Sequence, residues 1–194
     1  RDDLLNADLV ILPGVGAFGD AMAALHTRDL VSPLRDYIAS DGLFMGICLG
    51  FQLLMSESLE FGKHKGLDVI AGEVGRFSSG TGQARVKVPH VGWAPVQICS
   101  ELSRNGQNHD PGPLDGIKDG AFVYFVHSNY VRPEAQYVIT AKSRYRETEF
   151  CSAVRQGNIF ACQFHPERSG SLGLSIYNNL ARTAQARKEQ VKNG

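Results

Sequence analysis

Three short stretches of this chain hold residues whose types and spacing could do nucleophilic chemistry. Gly46-Ile47-Cys48-Leu49-Gly50 closes the apolar run Leu43 to Ile47 and opens an apolar helical pattern that reads from Leu49 to Leu59. Strand, nucleophile-type residue between near glycines, then helix is the layout of a nucleophile elbow, here with cysteine in place of serine. So sharp a turn leaves no room for side chains beside it, and Gly46 and Gly50 supply the missing bulk. Cys48 would sit at the helix N-terminus, where partial positive charge favours thiolate over thiol. Taken alone, the pentapeptide fits a small buried core thiol equally well.

The second stretch is Gln163-Phe164-His165-Pro166-Glu167, directly after the β-prone run Ile159 to Phe164. A histidine at a strand's C-terminal end faces the crevice of an open α/β sheet. Glu167 is close enough to orient the imidazole, as a base in nucleophilic catalysis requires. By itself the tripeptide His-Pro-Glu is more often a turn. The third stretch is Pro13-Gly14-Val15-Gly16. Acyl transfer needs donors aimed at a developing oxyanion. The N–H of Leu49 would be one, and the Gly14, Val15, Gly16 loop could give the second. A simple βα turn is the plainer reading of that loop, and it lacks the third glycine of a dinucleotide fingerprint.

The elements that must hold these stretches follow from the pattern. Leu9 to Leu12 reads as a buried strand and Gly19 to His26 as a helix. Ser32-Pro33 reads as the start of a second helix that ends at Asp41-Gly42. Two strand–helix units in succession predict a parallel sheet with helices packed on it. After Gly62 the texture turns β-rich: Asp68 to Ile70, Glu73 to Phe77, Arg85 to Val88 and Ala94 to Cys99. Ser100 to Gly120 reads as a long polar loop. Ala121 to Val126 and Tyr137 to Lys142 are β-prone, and Phe150 to Arg155 pairs with Ile159 to Phe164 as a hairpin around Gln156-Gly157-Asn158. Ser171 to Ala186 is an amphipathic helix that buries Leu172, Ile176, Leu180 and Ala184, and 188–194 reads as a frayed polar tail.

With 194 residues the chain suits one domain with a real core. Twenty Lys and Arg against twenty Asp and Glu argue against nucleic acid or an anionic membrane surface as main partner. Cys48, Cys99, Cys151 and Cys162 show no paired spacing, so neither a zinc ribbon nor a disulfide framework is expected, and a reducing cytosol is the natural setting. A phosphate-cradling loop, a metal-ligand cluster and a dinucleotide motif are all missing from the sequence, and no cofactor is expected.

Gly46-Ile-Cys48-Leu-Gly-Phe-Gln52, Pro13-Gly-Val-Gly16 and His165-Pro-Glu167 together resemble a class I glutamine amidotransferase. Pro89-His90-Val91-Gly92-Trp93 and Tyr124-Phe125-Val126-His127-Ser128 narrow the resemblance to the glutaminase subunits of imidazole glycerol phosphate synthases, in histidine biosynthesis. It runs from about Leu9 to Leu180. It implies an open, mostly parallel α/β sheet flanked by helices, with an additional antiparallel β portion. It implies that Cys48 attacks the side-chain amide of glutamine, that His165 moves the proton and that Glu167 holds His165. Gln52 and Ser128 are then expected to contact the glutamine, and Glu60, three helical turns past Cys48, its α-ammonium. Gln52 and Glu60 also read as ordinary solvent-side polar residues of a helix.

The resemblance also implies a partner, the cyclase subunit, a TIM-barrel protein that consumes the ammonia. Pro89, Val91 and Trp93 would face it, with Tyr124 near the ammonia exit. Trp93 in a Gly-rich β segment could equally be a core residue. Arg168 stands where many family members carry Lys; both are cationic, but their geometries differ. Family members begin with a strand and a Gly/Asn-containing loop that nothing before Arg1 resembles, so the expected domain is 1–187 without that first βα unit. Two other readings need different features. A hydrolase of γ-glutamyl or peptide bonds on the same architecture needs a more open cleft, and a non-catalytic binding subunit needs an unreactive Cys48.

Overall fold

The structure is a computed structural model that describes residues 1–78, 87–99 and 112–193. A short helix α1 (Asp2–Leu5) leads into strand β1 (Val10–Gly14), followed by helices α2 (Phe18–Thr27) and α3 (Val31–Ala39). Strand β2 (Phe44–Cys48) then runs straight into α4 (Leu49–Gln52). Strands β3 (Met55–Ser58), β4 (His64–Lys65), β5 (Ile70–Arg76), β6 (His90–Pro95) and β7 (Gln97–Ile98) come next. Strands β8 (Phe122–His127), β9 (Asn129–Pro133), β10 (Ile139–Tyr145), β11 (Thr148–Gln156) and β12 (Ile159–Cys162) precede the closing helix α5 (Gly170–Asn193).

Six strands form the main sheet in the order β1-β2-β12-β11-β10-β7. The first three are parallel and the rest antiparallel, so the open α/β sheet and its antiparallel portion belong to one mixed sheet. A second sheet has the order β4-β3-β5-β9, and β6 and β8 form a separate ribbon. β2 and β12 are buried along their whole length, as expected of parallel strands covered on both faces. Phe44 packs into a core with α2 and α3. Met45 and Ile47 point the other way, into a core with Phe125, Phe164, Ile176 and Leu180. The stripe expected of the last helix is thus in place.

Several expected elements take other forms. The helical pattern from Leu49 to Leu59 gives one turn, and Met55–Ser58 is a strand paired with β4 and β5. Phe51, Leu53, Leu54 and Met55 are all buried, and a run with no polar face suits a segment crossing the core better than a surface helix. Ser32 and Pro33 lie inside the first turn of α3, which starts at Val31 with Leu30 as N-cap; Pro is tolerated there because first-turn N–H groups have no helical partner. Of the run Asp68 to Ile70 only Ile70 is strand, and it joins positions 73–76 in the single strand β5. The expected polar tail continues α5 as far as Asn193. Positions 85–86 of one β run and 100–111 of the long loop lie outside the described residues.

Candidate active site

The elbow is where the sequence pattern puts it. Cys48 ends β2 with φ 53° and ψ −105°, and is the N-cap of α4. This backbone is strained for a residue with a Cβ, a cost that concentrates at functional sites. Gly50 is required by β1: a Cβ there would stand 1.7 Å from the Leu12 carbonyl oxygen. A Cβ on Gly46 would meet the Gly50 carbonyl at 3.0 Å. The two glycines therefore let α4 lie directly on the strands that deliver Cys48.

The thiol is 5% exposed. Its sulfur lies 3.9 Å from the Val126 carbonyl oxygen and accepts from Gln163 Nε2 at 3.6 Å. The Leu49 N–H also bonds the sulfur. Burial dominates these donors, and the Glu167 charge adds to it, so the thiol pKa is pushed up to about 11. The expected preference for thiolate is therefore not met here. A helix of four residues has too few aligned peptides to offset the desolvation.

His165 and Glu167 flank Pro166 on a 3₁₀ turn after β12. His165 Nδ1 is 2.6 Å from Glu167 Oε1. A carboxylate accepts, so Nδ1 donates to it and Nε2 is the ring nitrogen left for chemistry. Nε2 is buried and has no partner among the described residues. The Tyr177 hydroxyl on α5 bonds the Glu167 carboxylate as well, and burial together with that charge pushes its pKa up to about 12. Ser169 locks the turn from the other side: its hydroxyl donates to the His165 carbonyl at 2.6 Å and accepts from Tyr124 N–H at 3.0 Å. His165 N–H in turn donates to the Tyr124 carbonyl at 2.9 Å.

Gly14 is paired with Cys48 in the parallel register of β1 and β2. A Cβ on Gly14 would meet that of Leu49 at 3.1 Å, so the glycine loop lies against the residue that supplies the other N–H. Val15 is exposed and Gly16 has φ 102°, a conformation that favours glycine.

Gln52 is not on a solvent side. It is buried, and its Nε2 donates to the Asn129 carbonyl and to Gln163 Oε1, each at 3.1 Å. Glu60 is not helical either. It lies between β3 and β4, where Oε2 accepts from the Phe18 N–H at 2.7 Å and caps α2, while Oε1 accepts from Asn129 Nδ2 at 2.6 Å. Ser128, between β8 and β9, is half-buried beside Asn129. The fold thus places Gln52, Glu60 and the neighbour of Ser128 in one hydrogen-bonded group that reaches the Cys48 sulfur through Gln163.

A model of the class I glutamine amidotransferase family matches residues 2–182. The chain is 44% identical over 180 residues to the imidazole glycerol phosphate synthase subunit HisH of Geobacter metallireducens, covering 92% of this chain and 81% of that one. It is 45% identical over 175 residues to the HisH subunit of Rhodopirellula baltica, covering 90% and 78%. This chain belongs to the class I glutamine amidotransferase family. Among solved structures the amidotransferase fold recurs in PurLQS from Thermotoga maritima, with TM-score 0.63 at 18% identity, covering 92% of this chain and 80% of that one.

One face of the amidotransferase's β6–β8 ribbon is apolar and open. Val91 pairs with Val126, Trp93 with Tyr124 and Pro95 with Phe122. Trp93 is 54% exposed, so it is not a core residue, and Val91 and Phe122 are equally open. Arg168 stacks its guanidinium 4.2 Å from the centre of the Tyr124 ring, a cation–π contact that holds the charge on this face. Pro89, also exposed, lies just before β6. The opposite face of the ribbon buries His90, Val123, Phe125 and His127. Sequence reasoning missed Asn129, Gln163, Ser169 and Tyr177. Gln163 was within reach, since it opens the His165 motif, and Ser169 and Tyr177 lie four and ten residues after their partners His165 and Glu167; Asn129 depends on contacts far apart in the chain.

Proposed function

We propose that this chain is the glutaminase subunit of an imidazole glycerol phosphate synthase, which hydrolyses glutamine to glutamate and passes the ammonia to a cyclase partner. The observation that carries the reading is the arrangement at Cys48. An elbow thiol lies against the Leu49 N–H and the Gly14 strand end, and a buried imidazole nitrogen with no partner among the described residues belongs to a histidine already held by a carboxylate. Its place among HisH relatives supports the substrate and pathway.

Cys48 Sγ attacks the side-chain carbonyl carbon of glutamine while His165 Nε2 takes the thiol proton. The carbonyl oxygen becomes an oxyanion held by Leu49 N–H and the Gly14, Val15, Gly16 loop. One such donor is worth about 3 kcal/mol, or about 100-fold in rate. His165 returns the proton to the leaving nitrogen, the C–N bond breaks, and ammonia departs from a thioester. Water, deprotonated by Nε2, then releases glutamate. Glu167 keeps Nδ1 protonated throughout. Gln52 and Ser128 contact the glutamine, and Glu60 holds its α-ammonium.

Ammonia free in neutral water is mostly ammonium, a poor nucleophile. The open Val91–Trp93–Tyr124 face with Pro89 and Arg168 is where the cyclase, a TIM barrel, docks to form a one-to-one heterodimer, with the exit for ammonia beside Tyr124. No described helix is long and apolar enough to cross a membrane, and the four cysteines are free; we place the enzyme in the cytoplasm. The test is glutamate release with and without added cyclase subunit and its substrate. Stimulation by the partner is expected, and equal turnover in both conditions would refute the docking assignment.

A further inference from the structure

We propose that Gln163 is the residue that holds the Cys48 sulfur and stabilises its thiolate, with its own orientation dictated by Gln52 and the Asn129 main chain. The inference rests on the glutaminase reading and adds a residue to it. Gln163 is fully buried, immediately after β12, with its N–H bonded to the Ser152 carbonyl. That fixes its backbone in the sheet beside the elbow.

What matters is which end of its amide faces the sulfur, and the structure settles this from a main-chain carbonyl outward. The Asn129 carbonyl oxygen can only accept, so the end of Gln52 that meets it is Nε2. The same Nε2 reaches one oxygen of Gln163, so that end of Gln163 is Oε1. The remaining end, Nε2, is then the one 3.6 Å from Cys48 Sγ. A single backbone carbonyl thus sets the polarity of two buried amides and aims a donor at the nucleophile. His127 Nδ1 lies 2.8 Å from that carbonyl and Asn129 Nδ2 donates to Glu60, which fixes the starting point from two further sides.

An N–H aimed at sulfur is worth little to a neutral thiol and more to a thiolate, because a bond to an ionised acceptor is about twice as strong. Gln163 therefore favours the reacting form in a site where burial opposes it. The ionisable groups that act on the sulfur are Cys162 on β12 and Glu167 on the turn after it, where Glu167 also holds His165. Glu167 opposes ionisation, so within this group the neutral donors Gln163 and Leu49 N–H act against it.

The test is the rate of Cys48 alkylation by iodoacetamide against pH, located by mass spectrometry, in the full chain bound to the cyclase. Gln163→Met keeps bulk and loses the donor. It should raise the midpoint by about one to two pH units and cut the neutral-pH rate about 10- to 100-fold. Glutaminase kcat should fall with KM nearly unchanged. Gln163→Glu keeps the shape but brings a carboxylate to the sulfur, and should raise the midpoint at least as far. Thermal unfolding and co-elution with the cyclase identify which variant is folded, and either suffices. A folded variant with an unmoved or lowered midpoint would overturn the role of Gln163, whatever its kcat. Glutamine hydrolysis by the wild-type complex that survives Cys48→Ala would instead remove the glutaminase reading itself.

Discussion

The Cys48 thiol and the His165 imidazole are not hydrogen-bonded to each other. The sulfur is engaged by the Val126 carbonyl and Gln163, while His165 Nε2 has no partner among the described residues. Base and nucleophile are thus each positioned by their own element, β12's turn and the elbow, without being joined. Proton transfer needs them within hydrogen-bond reach, a distance that resting sites often close only when substrate binds. With its pKa pushed up to about 11, the thiol is almost wholly protonated at neutral pH. In the isolated chain, Cys48 alkylation should be slow at pH 7.5 and rise about tenfold per pH unit toward that value. A glutamine-site ligand together with cyclase should accelerate it at pH 7.5. Fast alkylation in the free chain, with a midpoint near neutrality, would contradict the resting geometry.

The base depends on Glu167, and Glu167 on Tyr177. Glu167→Gln should leave the imidazole in place but remove the charge that stabilises it when protonated, and lower kcat by about 100-fold or more. Tyr177→Phe removes one bond to the carboxylate and should lower kcat by about 3- to 10-fold, the worth of a single hydrogen bond. Steady-state glutaminase kinetics of the two variants in complex with cyclase check both. A Tyr177→Phe enzyme as impaired as Glu167→Gln would mean that the tyrosine does more than brace the carboxylate.

His90 and His127 face each other across β6 and β8, buried in a cluster with Phe125, Tyr145 and Phe150. Desolvation lowers their pKa values from 6.5 to about 4 and about 3. Both are neutral in the fold, and the unfolded chain takes up a proton at each as pH falls below 6.5. Stability is therefore complete above that pH. It declines below, by about 1.4 kcal/mol per pH unit for each histidine until its folded pKa is reached. His90→Phe, which keeps an aromatic ring in the cluster, should remove one proton's worth of this slope between pH 6 and 4. Urea unfolding across that range measures it, and an unchanged slope would show that His90 is already protonated in the fold.

How much of this was legible in the sequence depended on how local each cause is. The elbow could be read because two glycines four residues apart answer one steric problem, and the structure shows which atoms they avoid: Leu12 O for Gly50, and Gly50 O for Gly46. His165 and Glu167 could be read because they are two residues apart. The length of the helix after Cys48 could not, since Gln52 is the one polar side chain between Leu49 and Met55 and a single polar position reveals no period, so the core the segment crosses decides its form. Glu60 does not have the helical spacing the pattern suggests, yet Phe18 of α2 and Asn129 of β9 hold its carboxylate in the group that reaches Cys48. Asn129 and Gln52 are 77 positions apart, and Gln163 and Cys48 are 115 apart. Such pairs exist only through sheet register, which no local pattern specifies.

If Cys48 makes ammonia for the proposed partner, that partner should also be able to use ammonia from solution. The measurement that tests it most directly is synthesis by the complex of Cys48→Ala with cyclase, supplied first with glutamine and then with ammonium salt at alkaline pH. No glutamate and no product are expected from glutamine, with ammonium-supported synthesis close to that of the wild-type complex. Glutamine-dependent synthesis that persists in Cys48→Ala would contradict that role of Cys48.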